Sequence, residues 1–250
     1  MGIERHDLIE TPLRPRIPLR SRDSASGPSG MFPVRRIYCV GRNFADHAKE
    51  MGAEAPASKA DRGQPVFFLK PADAIVTHGV AAYPPGTADL HHEIELIVAL
   101  GRDAPGGVLD PAQAGDLILG YGIGLDLTRR DLQTAAKAKG LPWDTAKAFD
   151  QSAPVSALLP ASEVGPLGPR VLTLEVNGVE RQRARLELMI WDVPDILHEL
   201  SKLYALRAGD LVFMGTPAGV GPLQPGDRCL GRLDDLIRLD CAIAPPALSL

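Results

Sequence analysis

The chain contains no apolar run near the ~18 residues that a membrane-spanning helix needs, so a helical membrane protein is not expected. Residues 1–30 hold arginine, proline and serine but no apolar stretch of the secretory-signal type, and a cytoplasmic location is expected. Cysteine is scarce. Cys39, Cys229 and Cys241 are too few and too scattered for a disulfide framework or a zinc site, and they read as reduced thiols. Cys39 lies within the apolar run 37–40, where burial rather than reactivity is expected. A net charge of −4 offers no basic surface for nucleic acid or an anionic membrane, so neither is expected as a partner. Any anionic substrate would need a local cluster of positive groups. Aromatic residues make up only 5% of the chain, whereas glycine (25) and proline (23) are frequent, which favours short strands and many turns over a helical bundle. Neither a P-loop nor a dinucleotide fingerprint is present. The stretch Gly215-Thr-Pro-Ala-Gly-Val-Gly221 is glycine-rich without matching either, although its hydroxyl and backbone N–H groups could hold a carboxylate.

What remains is a chain of 250 residues, 45% hydrophobic, long enough to bury a sizeable core. Residues 1–31 alternate Arg, Pro and Ser without hydrophobic periodicity and read as a poorly ordered arm or lead-in. Residues 32–250 read as one domain of mixed β type with a few inserted helices. Strands are expected at 36–40, 65–69, 93–100, 120–127 and 211–214, and helices at 44–51 and 129–139. Asn177-Gly178 between alternating runs predicts a two-residue hairpin. Asp192 is placed to cap a further helix with Ile196, Leu197, Leu200, Leu203 and Tyr204 on its apolar face.

Three groups of residues suggest chemistry. In His91-His92-Glu93-Ile94-Glu95 the two carboxylates are two apart, so on a strand they project from one face. The run continues Leu-Ile-Val-Ala-Leu, which argues for a buried strand, and adjacent buried carboxylates call for a cation. Asp126, at the end of a glycine-rich apolar strand, could complete the set, with Thr128 rather than Asp126 as cap of the following helix. Three carboxylates without Cys or His favour Mg²⁺, with Mn²⁺ as an alternative, over zinc. His91 and His92 then read as supporting residues. The second group is His47 and Glu50, which share a helical face, so that the carboxylate can orient the imidazole as a base. Taken alone, such a pair is more often an incidental surface contact. The third is positive charge near the site, Arg130 above Gln133 and Lys147, a weak signal by itself.

The stretches Tyr38-Cys-Val-Gly-Arg-Asn-Phe-Ala-Asp-His47-Ala-Lys-Glu50, Phe67-Phe-Leu-Lys70-Pro71, His92-Glu-Ile-Glu95, Asp126-Leu-Thr-Arg-Arg130-Asp-Leu-Gln133, Gly140-Leu-Pro-Trp143 with Ala146-Lys147, and residues 209–221 together resemble the fumarylacetoacetate hydrolase family. The resemblance runs over about residues 33–230 and is similar in kind to the short acylpyruvate hydrolases, fumarylpyruvate hydrolases among them. It implies a β-sandwich or roll, usually homodimeric, with Mg²⁺ on Glu93, Glu95 and Asp126. It implies catalytic roles for His47, Glu50 and Lys147, the dyad lying on a lid-like segment, and Arg42, Arg130, Gln133 and Thr216 around a small anionic 2-oxo acid. Phe44 stands where Tyr is frequent and Arg129 where a small residue is usual. The implied reaction is hydrolysis of a C–C bond in an acylpyruvate, such as fumarylpyruvate in aromatic-compound catabolism. Decarboxylation of oxaloacetate or isomerisation of a 2-oxo acid would use the same metal and enolate. A non-enzymatic protein with a metal staple would instead leave His47, Glu50 and Lys147 without a role.

Overall fold

The computed structural model describes residues 13–22, 27–50, 52, 54, 56 and 58–246. Two sheets carry the architecture. The larger has six strands in the order Leu159–Pro160, Ile118–Leu125, Ile94–Leu100, Asp210–Phe213, Arg36–Gly41, Val66–Lys70. All its pairings are antiparallel except that between Asp210–Phe213 and Arg36–Gly41. The smaller has five strands, Val179–Arg185, Val171–Val176, Arg228–Leu233, Ile237–Ala244 and Val80–Ala82.

Period-two alternation sorts the central strand Ile94–Leu100 between two cores. Ile94, Leu96, Val98 and Leu100 pack with Leu172, Leu174, Leu233 and Leu239 of the smaller sheet. Ile97 and Ala99 face the opposite side, where they meet Ile17, Phe32, Val155, Leu158 and Phe213. Glu95 belongs to this second face, so the apolar packing that covers Ile97 and Ala99 gives way to carboxylates toward the N-terminal end of the strand. A strand buried on both faces explains its near-continuous apolar run.

The strands at 36–41, 66–70, 94–100, 118–125 and 210–213 and the helices Ala45–Glu50, Arg130–Ala138 and Val193–Ser201 lie where the sequence places them, within a few residues. Asn177 (φ 53°) and Gly178 (φ 77°) both adopt the left-handed conformation that a tight hairpin between Val171–Val176 and Val179–Arg185 requires. Asp192 accepts from the Asp195 N–H as expected of a cap, with Ile196, Leu197 and Leu200 buried.

Three expectations need correction. The lead-in contributes a strand, Arg16–Leu19, antiparallel to Gly30–Pro33, because Ile17 and Phe32 pair and bury in the second core. The parts of that lead-in at 1–12 and 23–26, and Met51 of the expected first helix, lie outside the described residues. Leu203 is exposed, since the helix ends at Ser201 before reaching it. Thr128 does not cap Arg130–Ala138; it sits in a short strand paired with Leu90–His92, its hydroxyl donating to the Asp126 carbonyl and accepting from Lys147. Cys39 is fully buried, and desolvation lifts its thiol well above the ordinary range. Among the described residues no helix is long and apolar enough to cross a membrane.

Candidate metal centre and active site

Antiparallel register assembles the acidic trio. Glu95 faces Gly124 across the ladder, and Asp126 lies two residues beyond Gly124, so both acids project from one face. The Asp126 N–H donates to the Glu93 carbonyl at 2.8 Å, which fixes the third acid beside the other two. Close packing requires glycine at 124, opposite Glu95: a Cβ there would come within 2.6 Å of Ile97 and 3.0 Å of Phe213. Donor oxygens of Glu93, Glu95 and Asp126 lie within 4.8 Å of one another, and all three side chains are buried.

Their neighbours are unequally shared. Glu93 accepts from Lys147 Nζ at 2.8 Å and from Arg130 Nη2; against the effect of burial, these cations hold its carboxyl well below the usual range. Asp126 receives Lys147 Nζ at 2.5 Å on one oxygen, while Lys70 Nζ stands 2.8 Å from the other. That second oxygen, Oδ1, accepts no well-directed hydrogen bond. Glu95 has no cation of its own among the described residues and accepts only the Gly215 N–H at 2.7 Å. Burial, then the charges of Asp126 and Glu93, drive its carboxyl well above the ordinary carboxylate range. A buried, all-oxygen donor set with one unneutralised carboxylate fits a hard divalent cation. Lys147, with burial opposing and Asp126 and Glu93 outweighing it, stays charged.

Helix Ala45–Glu50 brings the dyad over this floor. His47 is buried, its Nδ1 3.1 Å from Glu50 Oε2. Glu50 is itself held by the Gly219 N–H at 3.1 Å. The glycine-rich loop thus acts twice, Gly215 on a carboxylate of the trio and Gly219 on the dyad. Arg42, His47, Glu93, Glu95, Asp126, Arg130, Gln133, Lys147 and Thr216 all line one cleft; Glu50 stands behind His47. Arg130 Nη1 donates to Gln133 Oε1 at 2.6 Å, and its Nε lies 3.4 Å from His91 Nδ1, which gives that histidine a supporting place behind Arg130.

Three residues of the site carried no role in the sequence reading. Lys70 is fully buried against Asp126 and the Leu127 and Lys147 carbonyls. Lys137 reaches the cleft from the same helix face as Arg130 and Gln133, a spacing that the helical period does contain. Gln182 joins four partners: its Oε1 meets His92 Nδ1 and the Ile94 N–H, and its Nε2 donates to Thr216 Oγ1 and the Pro217 carbonyl. This single amide ties the start of the acidic strand to the glycine-rich loop.

Gly219 gives a local test. It has φ +95°, and a Cβ would sit 2.1 Å from the Arg181 carbonyl oxygen. Gly219→Ala is therefore expected to cost about 2–4 kcal/mol in a guanidinium titration. Turnover should fall with Glu50 released from the loop, while cation binding, measured by calorimetry, stays near wild type.

A family model described as "Fumarylacetoacetate (FAA) hydrolase C-terminal" matches residues 36–244. A fumarylpyruvate hydrolase from Pseudomonas aeruginosa, solved with Mn²⁺ and pyruvate, superposes with a TM-score of 0.85 at 41% identity, covering 96% of this chain and 100% of that one. A putative fumarylpyruvate hydrolase from Burkholderia cenocepacia gives a TM-score of 0.84 at 48% identity, covering 97% and 100%. The oxaloacetate tautomerase of Escherichia coli (strain K12) is 41% identical over 199 residues, 79% of this chain and 87% of that protein. The two-sheet fold, the register that gathers three acids beneath a His–Glu pair, and matches over nearly the whole chain agree: this protein belongs to the fumarylacetoacetate hydrolase family of enzymes.

Proposed function

We propose that the protein is a divalent-metal-dependent acylpyruvate hydrolase, with fumarylpyruvate as the favoured substrate and fumarate and pyruvate as products. The observation that carries this reading is the placement of His47, paired with Glu50, in the same cleft as the acidic trio and Lys147. We take Mg²⁺ to be the cofactor, Mn²⁺ serving as well, and the protein to be a cytoplasmic homodimer. Bound on Glu93, Glu95 and Asp126, the cation would supply Lewis acidity toward the 2-oxo acid head of the substrate.

Pairing with Glu50 assigns the His47 proton to Nδ1 and leaves Nε2 to accept one from water. The water oxygen adds to the far carbonyl. The C–C bond then breaks with its electron pair passing to the pyruvate side as the enolate, which protonates at carbon to pyruvate. Lys147, charged and buried, places its positive charge beside the trio where this negative charge develops, its own N–H groups being held by Glu93, Asp126 and Thr128. Arg130 and Gln133, locked to each other, and the Thr216 hydroxyl flank the carboxylate of the head group.

The Escherichia coli relative supports a second reading, tautomerisation of oxaloacetate, which needs proton transfer to and from carbon but no attacking water. The Mg²⁺-loaded protein should release equimolar fumarate and pyruvate from fumarylpyruvate, followed by chromatography. Acceleration of oxaloacetate keto–enol exchange or CO₂ release, with no cleavage of fumarylpyruvate, would overturn the hydrolase assignment.

A further inference from the structure

The cations around the cleft are paired with carboxylates, with two exceptions, the half-buried Lys137 and the exposed Arg42. Lys70 meets Asp126, Lys147 meets Asp126 and Glu93, and Arg130 meets Glu93. Lys137 and Arg42 line the same cleft and have no carboxylate partner among the described residues. Lys137 lies seven residues beyond Arg130, two helical turns and about 10 Å along the axis, so it stands well away from the acidic floor. Its Nζ sits 5.1 Å from the centroid of the Trp143 ring, a contact that holds the chain in place without neutralising its charge. Arg42 occupies the turn after the strand Arg36–Gly41 with φ 58°, a left-handed conformation uncommon outside glycine and found where a site requires a particular side-chain direction. Burial, followed by the like charges of Arg130 and Arg42, lowers the Lys137 ammonium to about 8. Two like charges that line one cleft and raise each other's cost are relieved by an anion bound between them.

We propose that Lys137 and Arg42 form a second anion subsite, which receives the far carboxylate of a dicarboxylic 2-oxo acid whose head lies against Glu93, Glu95 and Asp126. The proposal rests on the reading of that trio as a 2-oxo acid site and extends it: the enzyme selects substrates that carry a carboxylate at both ends. Trp143 holds the ammonium, and Arg42 reaches the same group from the turn that follows Arg36–Gly41.

The test separates this subsite from the catalytic reading. Titration calorimetry on the Mg²⁺-loaded full chain compares 2-oxoadipate with 2-oxohexanoate, equal in chain length and differing only in the far carboxylate. Neither carries the β-diketone that hydrolysis requires. Wild type is expected to bind the diacid about 10–100-fold more tightly, the worth of a charge-assisted hydrogen-bonded contact. Lys137→Met should bring that ratio close to one, and Lys137→Arg should retain most of it. Arg42→Met should also lower the ratio. A wild-type ratio near one, or a ratio that survives in Lys137→Met and Arg42→Met alike, overturns the subsite. Failure of both ligands to bind overturns the 2-oxo acid reading together with it. Binding with the expected preference but no cleavage of fumarylpyruvate would sink only the hydrolase assignment. On catalysis, the fumarylpyruvate kcat/KM of Lys137→Met should fall through KM, and more steeply than that for acetylpyruvate, which lacks the far charge; an equal fall on both counts against the proposal.

Discussion

Glu95→Gln is expected to raise the melting temperature of the metal-free protein while removing both its stabilisation by Mg²⁺ and its turnover. Glu95 is buried beside two other carboxylates and has only the Gly215 N–H to accept from. Removing its charge relieves a repulsion that no neighbouring cation offsets directly, and the amide oxygen of Gln can keep the Gly215 contact. Each 1 kcal/mol relieved moves the melting point by roughly 2–4 °C in a chain of this size. A metal ligand is lost in exchange. Partners that only orient ligands are worth about 10–100-fold in affinity, so loss of a carboxylate ligand should exceed about 100-fold. Thermal melts with and without Mg²⁺ read both effects, and a variant that melts lower than wild type without metal would contradict the account of Glu95.

The same carboxylate sets a pH dependence. Its folded-state affinity for a proton exceeds its unfolded one, so the metal-free folded chain binds more protons than the unfolded chain in this range. Stability from this group is present below the unfolded value of 4.5 and is withdrawn as the pH rises through the interval up to its elevated folded value. Glu93 runs the other way: its depressed carboxyl contributes stability above the unfolded value, lost as the pH falls. Glu95→Gln should therefore flatten the alkaline side of the metal-free stability profile and leave the acid side in place.

The parts of this site that local periodicity encodes were readable in the chain. Glu93 and Glu95 at strand spacing in an apolar run, and His47 and Glu50 at helical spacing, need only their own element to be placed together. Asp126 is readable because a glycine-rich strand ends on it. Gln182 illustrates what such spacing cannot reach. A regular hairpin through Asn177-Gly178, with Val176 opposite Val179 and Glu175 opposite Glu180, would set Arg181 opposite Leu174. The structure inserts a bulge between Leu174 and Glu175, so Gln182 takes that place and turns into the core, the one buried residue of an otherwise largely exposed strand. The bulge leaves the Arg181 carbonyl against Gly219, a contact made across 38 residues that neither segment discloses alone. Lys70 is hidden for a similar reason: the strand Val66–Lys70 ends at an ordinary lysine until the fold brings Asp126 to it. Ile17 in the lead-in, between Arg16 and Pro18, and Phe32 just after it carry no periodic pattern, and only their pairing across two strands makes them core.

His47→Ala is expected to lower kcat for fumarylpyruvate cleavage by about 10²–10⁴, the usual contribution of a positioned general base. Its affinity for Mg²⁺ and for oxalate, an enolate mimic, should stay within a few-fold of wild type. The separation follows from geometry. His47 lines the cleft but, among the described residues, makes no hydrogen bond to Glu93, Glu95 or Asp126, whose arrangement is set by strand register, Gly215, Lys147 and Arg130. Glu50→Gln should cause a smaller loss, because an amide can still accept from Nδ1 and from the Gly219 N–H but no longer stabilises the imidazolium that forms. Steady-state kinetics paired with oxalate calorimetry distinguish the outcomes. If His47→Ala loses metal affinity in proportion to activity, His47 organises the site rather than acting on water. If it keeps full hydrolytic activity, the base lies elsewhere. A loss of hydrolysis with oxaloacetate enolisation retained would show that one metal-enolate floor supports both chemistries, and that the dyad above it selects cleavage.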